Sequence, residues 1–146
     1  MIVGFSFKEI GMSGIVIVAE NGKGRYQQVV TAGQHQWLAD EPESLGGSDA
    51  GPAPFDLVMS GLGACTSMTL RMYAERKGLP LERISVALSH DKVEVDGANR
   101  DRISRRITLE GNLSDEQRQR LLEIANKCPV HRLLSQSAIL ACSLEN

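Results

Sequence analysis

Long apolar runs are missing from this chain. No stretch approaches the ~20 residues needed to span a bilayer, so neither a membrane helix nor a membrane partner is expected. A block of one charge is missing too. Sixteen Lys and Arg stand against eighteen Asp and Glu, for a formal net charge of −2. The basic footprint of a nucleic-acid binder is therefore absent, and no nucleic-acid partner is expected. Scattered basic residues such as Arg105 and Arg106 read as a solvated strand face. Met1 to Val18 is apolar in places, but Lys8, Glu9 and glycines interrupt it. No small-residue cleavage site follows, so a secretory signal is not expected and a cytoplasmic location is. Cysteine is scarce: Cys65, Cys128 and Cys142 are the three. An odd, low number without a signal segment argues against a disulfide scaffold. In a reducing compartment such thiols are either inert core residues or chemically active.

The 146 residues, 42% hydrophobic and 23% charged, suit one globular domain over 1–146. Strands fill about 1–39, a loop 40–54, and a helix and strand core 55–146. Ile15-Val16-Ile17-Val18 is β-branched, Asn21-Gly22-Lys23-Gly24 signals a turn, and Arg25 to Thr31 reads as a second strand. His35 to Ala39 completes a β-meander. Asp40 to Pro54 is rich in glycine, proline, serine and acid, and a loop of about fifteen residues in a compact domain often carries function. Phe55 to Lys77 reads as a helix apolar nearly all round, which predicts burial on every side. Arg76 and Lys77 suit its last turn, Gly78 its C-cap, and Pro80 prevents continuation.

Ile84, Val86 and Leu88 alternate with polar residues. Ile103, Ile107 and Leu109 do the same, with Arg102, Ser104, Arg106 and Thr108 between them, so two strands are expected. Asp96 to Arg100 would join them. Ser114 with Gln117 three residues on fits a capping box. Cys128-Pro129 breaks that helix and starts a short one to about Gln136. Ser137 to Leu144 reads as a final strand. The class is α+β with a buried central helix.

Cys65 would share a helix face with Val58, Gly61, Leu62, Met68, Thr69 and Met72. Gly61 and Gly63 inside a helix each cost ~1 kcal/mol relative to alanine. Close approach of another backbone or of a ligand beside Cys65 would explain them. A buried structural cysteine fits this face equally well. Cys128 precedes a proline, which favours the first helical position, so it reads as an N-cap whose dipole favours thiolate. It shares a face with Leu121 and Ala125, and could instead simply fill a helix corner. Cys142 reads as a core or surface strand residue. Cys128-x-x-His131 could be half a zinc site, but no second half follows, and no metal is expected. His35 and His90 lie in strands with no reason to be ligands. The residues alone reach a candidate redox thiol and stop there.

Gly51-Pro-Ala-Pro-Phe-Asp-Leu-Val-Met-Ser-Gly-Leu-Gly-Ala-Cys65-Thr66 and Asn126-Lys-Cys-Pro-Val-His131 resemble the two cysteine motifs of the OsmC/Ohr family. The Gly-Gly-x-Asp-x-Gly-Pro loop, Gly46 to Pro52, resembles that of an OsmC-like subgroup. The resemblance runs from about residue 15 to the end. It implies an intertwined homodimer with both central helices in the middle and the active site at the interface. It implies that Cys65 attacks a peroxide and Cys128 resolves the product, with an external dithiol as reductant and no cofactor. The apolar face around Cys65 would favour organic hydroperoxides over hydrogen peroxide, in oxidative or osmotic stress defence. Family members also use an arginine from the N-terminal strands, for which Arg25 is the match. They use a glutamate just after the proline that precedes the central helix. Phe55 stands there, and the acid follows as Asp56, turned by ~100° along a helix. Asp49 is another candidate, and Asp56 could simply be an acid at a helix start. A non-enzymatic module holding a small hydrophobic ligand at the dimer interface is the alternative. Retained Cys65 and Cys128 favour the peroxidase; Phe55 favours the module. A structural dimer with inert core cysteines is the third reading.

Overall fold

The computed structural model describes residues 14–145. The segment considered above as a signal, Met1 to Val18, lies largely outside them, and so does the first third of the strands expected over 1–39. The chain forms two compact units, one ending at Asp56 and one starting at Leu57.

In the first unit, β1 (Val16–Glu20), β2 (Gln28–Ala32) and β3 (His35–Ala39) form an antiparallel meander in that order. Gly33, at φ +59°, opens the two-residue turn between β2 and β3. The expected strand Arg25–Thr31 starts later, at Gln28, which leaves Arg25 in a bend. β1 ends at Glu20, opposite Gln28, so residues 25–27 have no strand to pair with. Beyond Glu20 the chain turns: Asn21 Oδ1 accepts from the Lys23 N–H at 3.0 Å, and Asn21 Nδ2 donates across the connection to Gln27 Oε1 at 2.7 Å.

The loop is built on Asp40, only 3% exposed. Its carboxylate accepts the N–H groups of Glu41 (2.8 Å), Ser48 (3.1 Å) and Ala50 (3.1 Å). Burial works against its ionisation, but the three N–H bonds outweigh that and hold the carboxyl below its usual range. A short 3-10 turn, Glu43–Leu45, interrupts the loop. At Gly47 and Gly51 a side chain would run into the carbonyls of Glu41 and Leu38. Both glycines of the motif are thus required by close backbone approach.

Helix α1 (Pro54–Lys77) starts within the first unit and from Leu57 belongs to the second, where β4 (Leu81–Val95) and β5 (Ala98–Gly111), an antiparallel pair, follow it. Asp96 (φ +51°) and Gly97 (φ +77°) form the turn between them. It is two residues long, shorter than the expected Asp96–Arg100, because this turn type matches the strand twist and lets pairing run to its edge. Helix α2 (Asp115–Ala125) carries the full Ser114/Gln117 capping box, and α3 (Pro129–Ser135) has Cys128 as its N-cap. Leu70, Ala74, Leu81, Leu113, Leu121, Ile124 and Ala125 make the core, with Tyr73, Ile84, Ile107 and Leu109 packed against it.

Within one chain, helix α1 is buried along one face. Leu62, Thr66, Leu70 and Ala74, four residues apart, are buried, while Val58, Met68 and Met72 are 43%, 60% and 67% exposed. One chain supplies a layer for only one face of this helix. The expectation of a strand at Ser137–Leu144 fails. Ile139, Leu140 and Leu144 are more than 90% exposed. Among the described residues nothing offers this segment a ladder, and a strand exists only by pairing. Among these residues no helix is long and apolar enough to cross a membrane.

Candidate active site

Residue parity on β5 builds the site. Ile103, Arg105, Ile107 and Leu109 point to one face and are half-buried, while the residues between them are exposed. Arg105 therefore sits in the apolar stripe, opposite Leu88 of β4. This overturns the solvated-face expectation for Arg105; Arg106 does lie outside. A cation drawn inward must have its N–H groups satisfied, and the four terminal ones of Arg105 are. Nη1 donates to Thr66 Oγ1 at 2.8 Å and to the Ala125 carbonyl at 3.1 Å. Nη2 donates to Asn126 Oδ1 at 2.9 Å and to His131 Nδ1 at 2.8 Å. One planar fork thus ties α1, the end of α2 and the start of α3 to β5.

Thr66, directly after Cys65, has no exposed surface. Its hydroxyl donates to the Leu62 carbonyl at 2.7 Å, spending its one hydrogen. Its contact with Cys128 Sγ at 3.9 Å therefore has the thiol as donor. Cys128 is also fully buried, and its sulfur accepts the His131 N–H at 3.2 Å. Cys65 itself is half-buried and reduced. Within one chain, a side chain at Gly63 would meet Leu88 Cδ1 at 2.7 Å, and Gly61 has no neighbour within 4 Å.

Because His131 Nδ1 accepts from Arg105, its proton belongs on Nε2, and Nδ1 is not a lone pair open to a metal. Burial, and then the positive charge of Arg105, hold His131 below the ordinary imidazole range. The sign follows from proton counting. Below about pH 6.5 an unfolded imidazole takes up a proton that the folded one resists. This contribution to stability is complete above that pH and declines as pH falls through the folded value. Thermal melts from pH 8 to pH 5 should show wild type losing more stability than His131→Gln. Parallel curves would refute the lowered His131 titration as a source of this pH dependence.

The remaining predicted residues belong to the first unit. Arg25 is exposed, its guanidinium 5.0 Å from the Tyr26 ring centroid. Asp56 Oδ2 accepts the Ala53 N–H at 3.1 Å, capping the first turn of α1. Asp49 is exposed at φ +52°, its N–H on the Glu41 carbonyl at 3.1 Å. Phe55 is 56% exposed. A groove of about 410 Å³ lies against Tyr26, Ala39, Leu45 and Pro54. His35 is exposed on β3, and His90, in the second unit, lies 2.8 Å from Asp101 Oδ1. Thr66 and Arg105 went unread in the sequence. Arg105 shares the parity of Ile103 and Ile107, and Thr66 lies four residues from both Leu62 and Leu70, which was the available signal.

The OsmC-like protein family profile matches residues 46–142. No curated protein matches. An OsmC-like protein from Mycoplasma pneumoniae superimposes with TM-score 0.71 at 18% identity, covering 86% of this chain and 89% of that one. A Legionella pneumophila organic hydroperoxide resistance protein gives 0.66 at 18%, covering 84% and 89%. An Elizabethkingia anophelis organic hydroperoxide resistance protein gives 0.62 at 17%, covering 83% and 86%. At such identities the superpositions speak for the α+β fold alone. Family match, fold and both cysteine motifs agree: the chain belongs to the OsmC/Ohr family.

Proposed function

We propose that the protein is a thiol peroxidase that reduces organic hydroperoxides through Cys65 and Cys128, in defence against oxidative or osmotic stress. One observation carries the reading. Thr66, the chain neighbour of Cys65, touches the sulfur of Cys128, so the second cysteine packs against α1 one residue along from the first. The Cys65 thiolate attacks the terminal peroxide oxygen, the O–O bond breaks, and the alkoxide leaves as alcohol after taking a proton. Cys65 is then a sulfenic acid. The Cys128 sulfur displaces its hydroxyl as water, forming a Cys65–Cys128 disulfide. An external dithiol returns both thiols by exchange. In this reading Arg25 and Asp56 assist Cys65, from a second copy of the chain across a homodimer interface. The exposed Val58, Met68 and Met72 supply an apolar stripe for that interface. A cytoplasmic setting would supply the reductant.

The test is one equivalent of cumene hydroperoxide added to reduced protein, with free thiols counted and disulfides mapped by mass spectrometry. Loss of two thiols per chain and a Cys65–Cys128 link are expected. Surviving thiols would defeat the peroxidase and turn attention to the groove beside Tyr26 and Leu45 as a ligand site.

A further inference from the structure

We infer that Arg105 is a positioning residue for Cys128, and that the external dithiol enters at Cys65 with Cys128 as the leaving sulfur. The inference rests on the disulfide reading above. Two observations carry it: unequal access to the two sulfurs, and the hydrogen bonds of Arg105.

Access comes first. Thiol–disulfide exchange needs an incoming thiolate in contact with the attacked sulfur. Cys128 has no exposed surface, enclosed in the corner between α2 and α3, whereas Cys65 is half-buried. The incoming thiolate therefore bonds to Cys65 Sγ. The S–S bond breaks, its electron pair passes to Cys128 Sγ, and a mixed disulfide remains on Cys65. The second thiol of the reductant then attacks that mixed disulfide. It releases Cys65 as a thiolate and leaves the reductant as its own disulfide.

Charge comes second. The electron pair arrives where the His131 N–H already points at Sγ. Arg105 holds that arrangement from two sides, through His131 Nδ1 and through Thr66 Oγ1. All four of its terminal N–H groups are spent on neutral acceptors: a hydroxyl, a carbonyl, an amide oxygen and an imidazole. Among the described residues none of its partners is a carboxylate. Its positive charge is thus left for the anion that appears on Cys128, which together with Thr66 and Ala125 is buried. A carboxylate partner would have cancelled this effect. The same fork fixes the Ala125 carbonyl and Asn126 at the end of α2, which sets where Cys128 stands.

The experiment separates this from the peroxidase reading by making the disulfide with diamide instead of peroxide. Oxidised wild type is mixed with excess monothiol, quenched by acid and alkylation, and mapped. The mixed disulfide is expected on Cys65; finding it on Cys128 would overturn the inference. Reduction by dithiothreitol is then timed in wild type, Arg105→Met and Arg105→Lys. Arg105→Met is expected to slow reduction about tenfold, and Arg105→Lys about threefold, because lysine keeps the charge and loses the fork. Equal rates for Arg105→Met and wild type, or for the two variants, would refute the role of Arg105. A slower peroxide step with unchanged reduction would refute it as well. Near-UV circular dichroism checks each variant. If Arg105→Met fails to fold, the lysine variant and the wild-type mapping still decide. If diamide forms the bond and peroxide does not, the peroxidase reading falls and the assignment of Arg105 stands. If neither forms it, both fall.

Discussion

Cys65→Ser should lower the rate of cumene hydroperoxide consumption at least about a thousandfold, since removal of a covalent nucleophile leaves only binding and polarisation behind. A serine hydroxyl at neutral pH has no appreciable anion to offer the O–O bond. Cys128→Ser should behave differently, and the contrast is the sharper measurement. Cys65 remains, so the first equivalent of peroxide is still consumed. The sulfenic acid then has no thiol to condense with. Further peroxide carries it to sulfinic acid, a gain of two oxygen atoms on the Cys65 peptide, and turnover stops within a few cycles. Intact-mass spectrometry after graded peroxide separates the cases. Cys65→Ser should show no rapid oxidation and Cys128→Ser progressive over-oxidation, while wild type forms its disulfide. If Cys65→Ser consumes peroxide as fast as wild type, Cys65 is not the nucleophile. Cys142, exposed beyond α3, serves as the internal control, since its slow reaction should be the same in all three proteins.

What was legible in the sequence is what local rules govern. The capping box at Ser114, the Pro129 helix start with Cys128 as N-cap, and the alternation of Ile84, Val86 and Leu88 each depend on neighbours a few residues away. The misreadings have physical causes. Arg25 left its strand because the backbone it would have paired with, just after Glu20, turns at Asn21, whose side chain holds the Lys23 N–H. Arg105 was placed outside because charge usually is. Parity put it inside, and only three-dimensional proximity to Thr66, Ala125, Asn126 and His131 makes that tolerable. The apolar flank of α1 and the segment after Gln136 were read as buried and as a strand because their composition asks for it. Neither finds its partner among the described residues of one chain. Composition records what a segment must eventually touch, and it does not record whether the same chain supplies it. The cysteine motifs were legible as a resemblance, and the network joining them was not, because it is drawn from four elements far apart in sequence.

The corner that holds Cys128 is itself held by α2, and its weakest link can be predicted. Leu121→Ala should destabilise the protein by about 3 kcal/mol, the middle of the range for leucine truncation in a packed core. Leu121 has no exposed surface and sits among Leu70, Ala74, Leu113 and Ile124. Those side chains come from α1, α2 and the connection between β5 and α2, so a collapse to fill the void would have to move several elements together. In a domain of this size the loss corresponds to a fall in melting temperature of about 6–12 °C. Ser114→Ala removes a satisfied cap at the start of the same helix and should cost about 1 kcal/mol. Gln119→Ala, on its exposed face, should stay within about 0.5 kcal/mol. Urea unfolding of the three variants tests the order. If Ser114→Ala costs more than Leu121→Ala, α2 is held by its end and not by its packed face. Cys128, three residues beyond its last turn, would then owe its burial to the Arg105 fork rather than to this core.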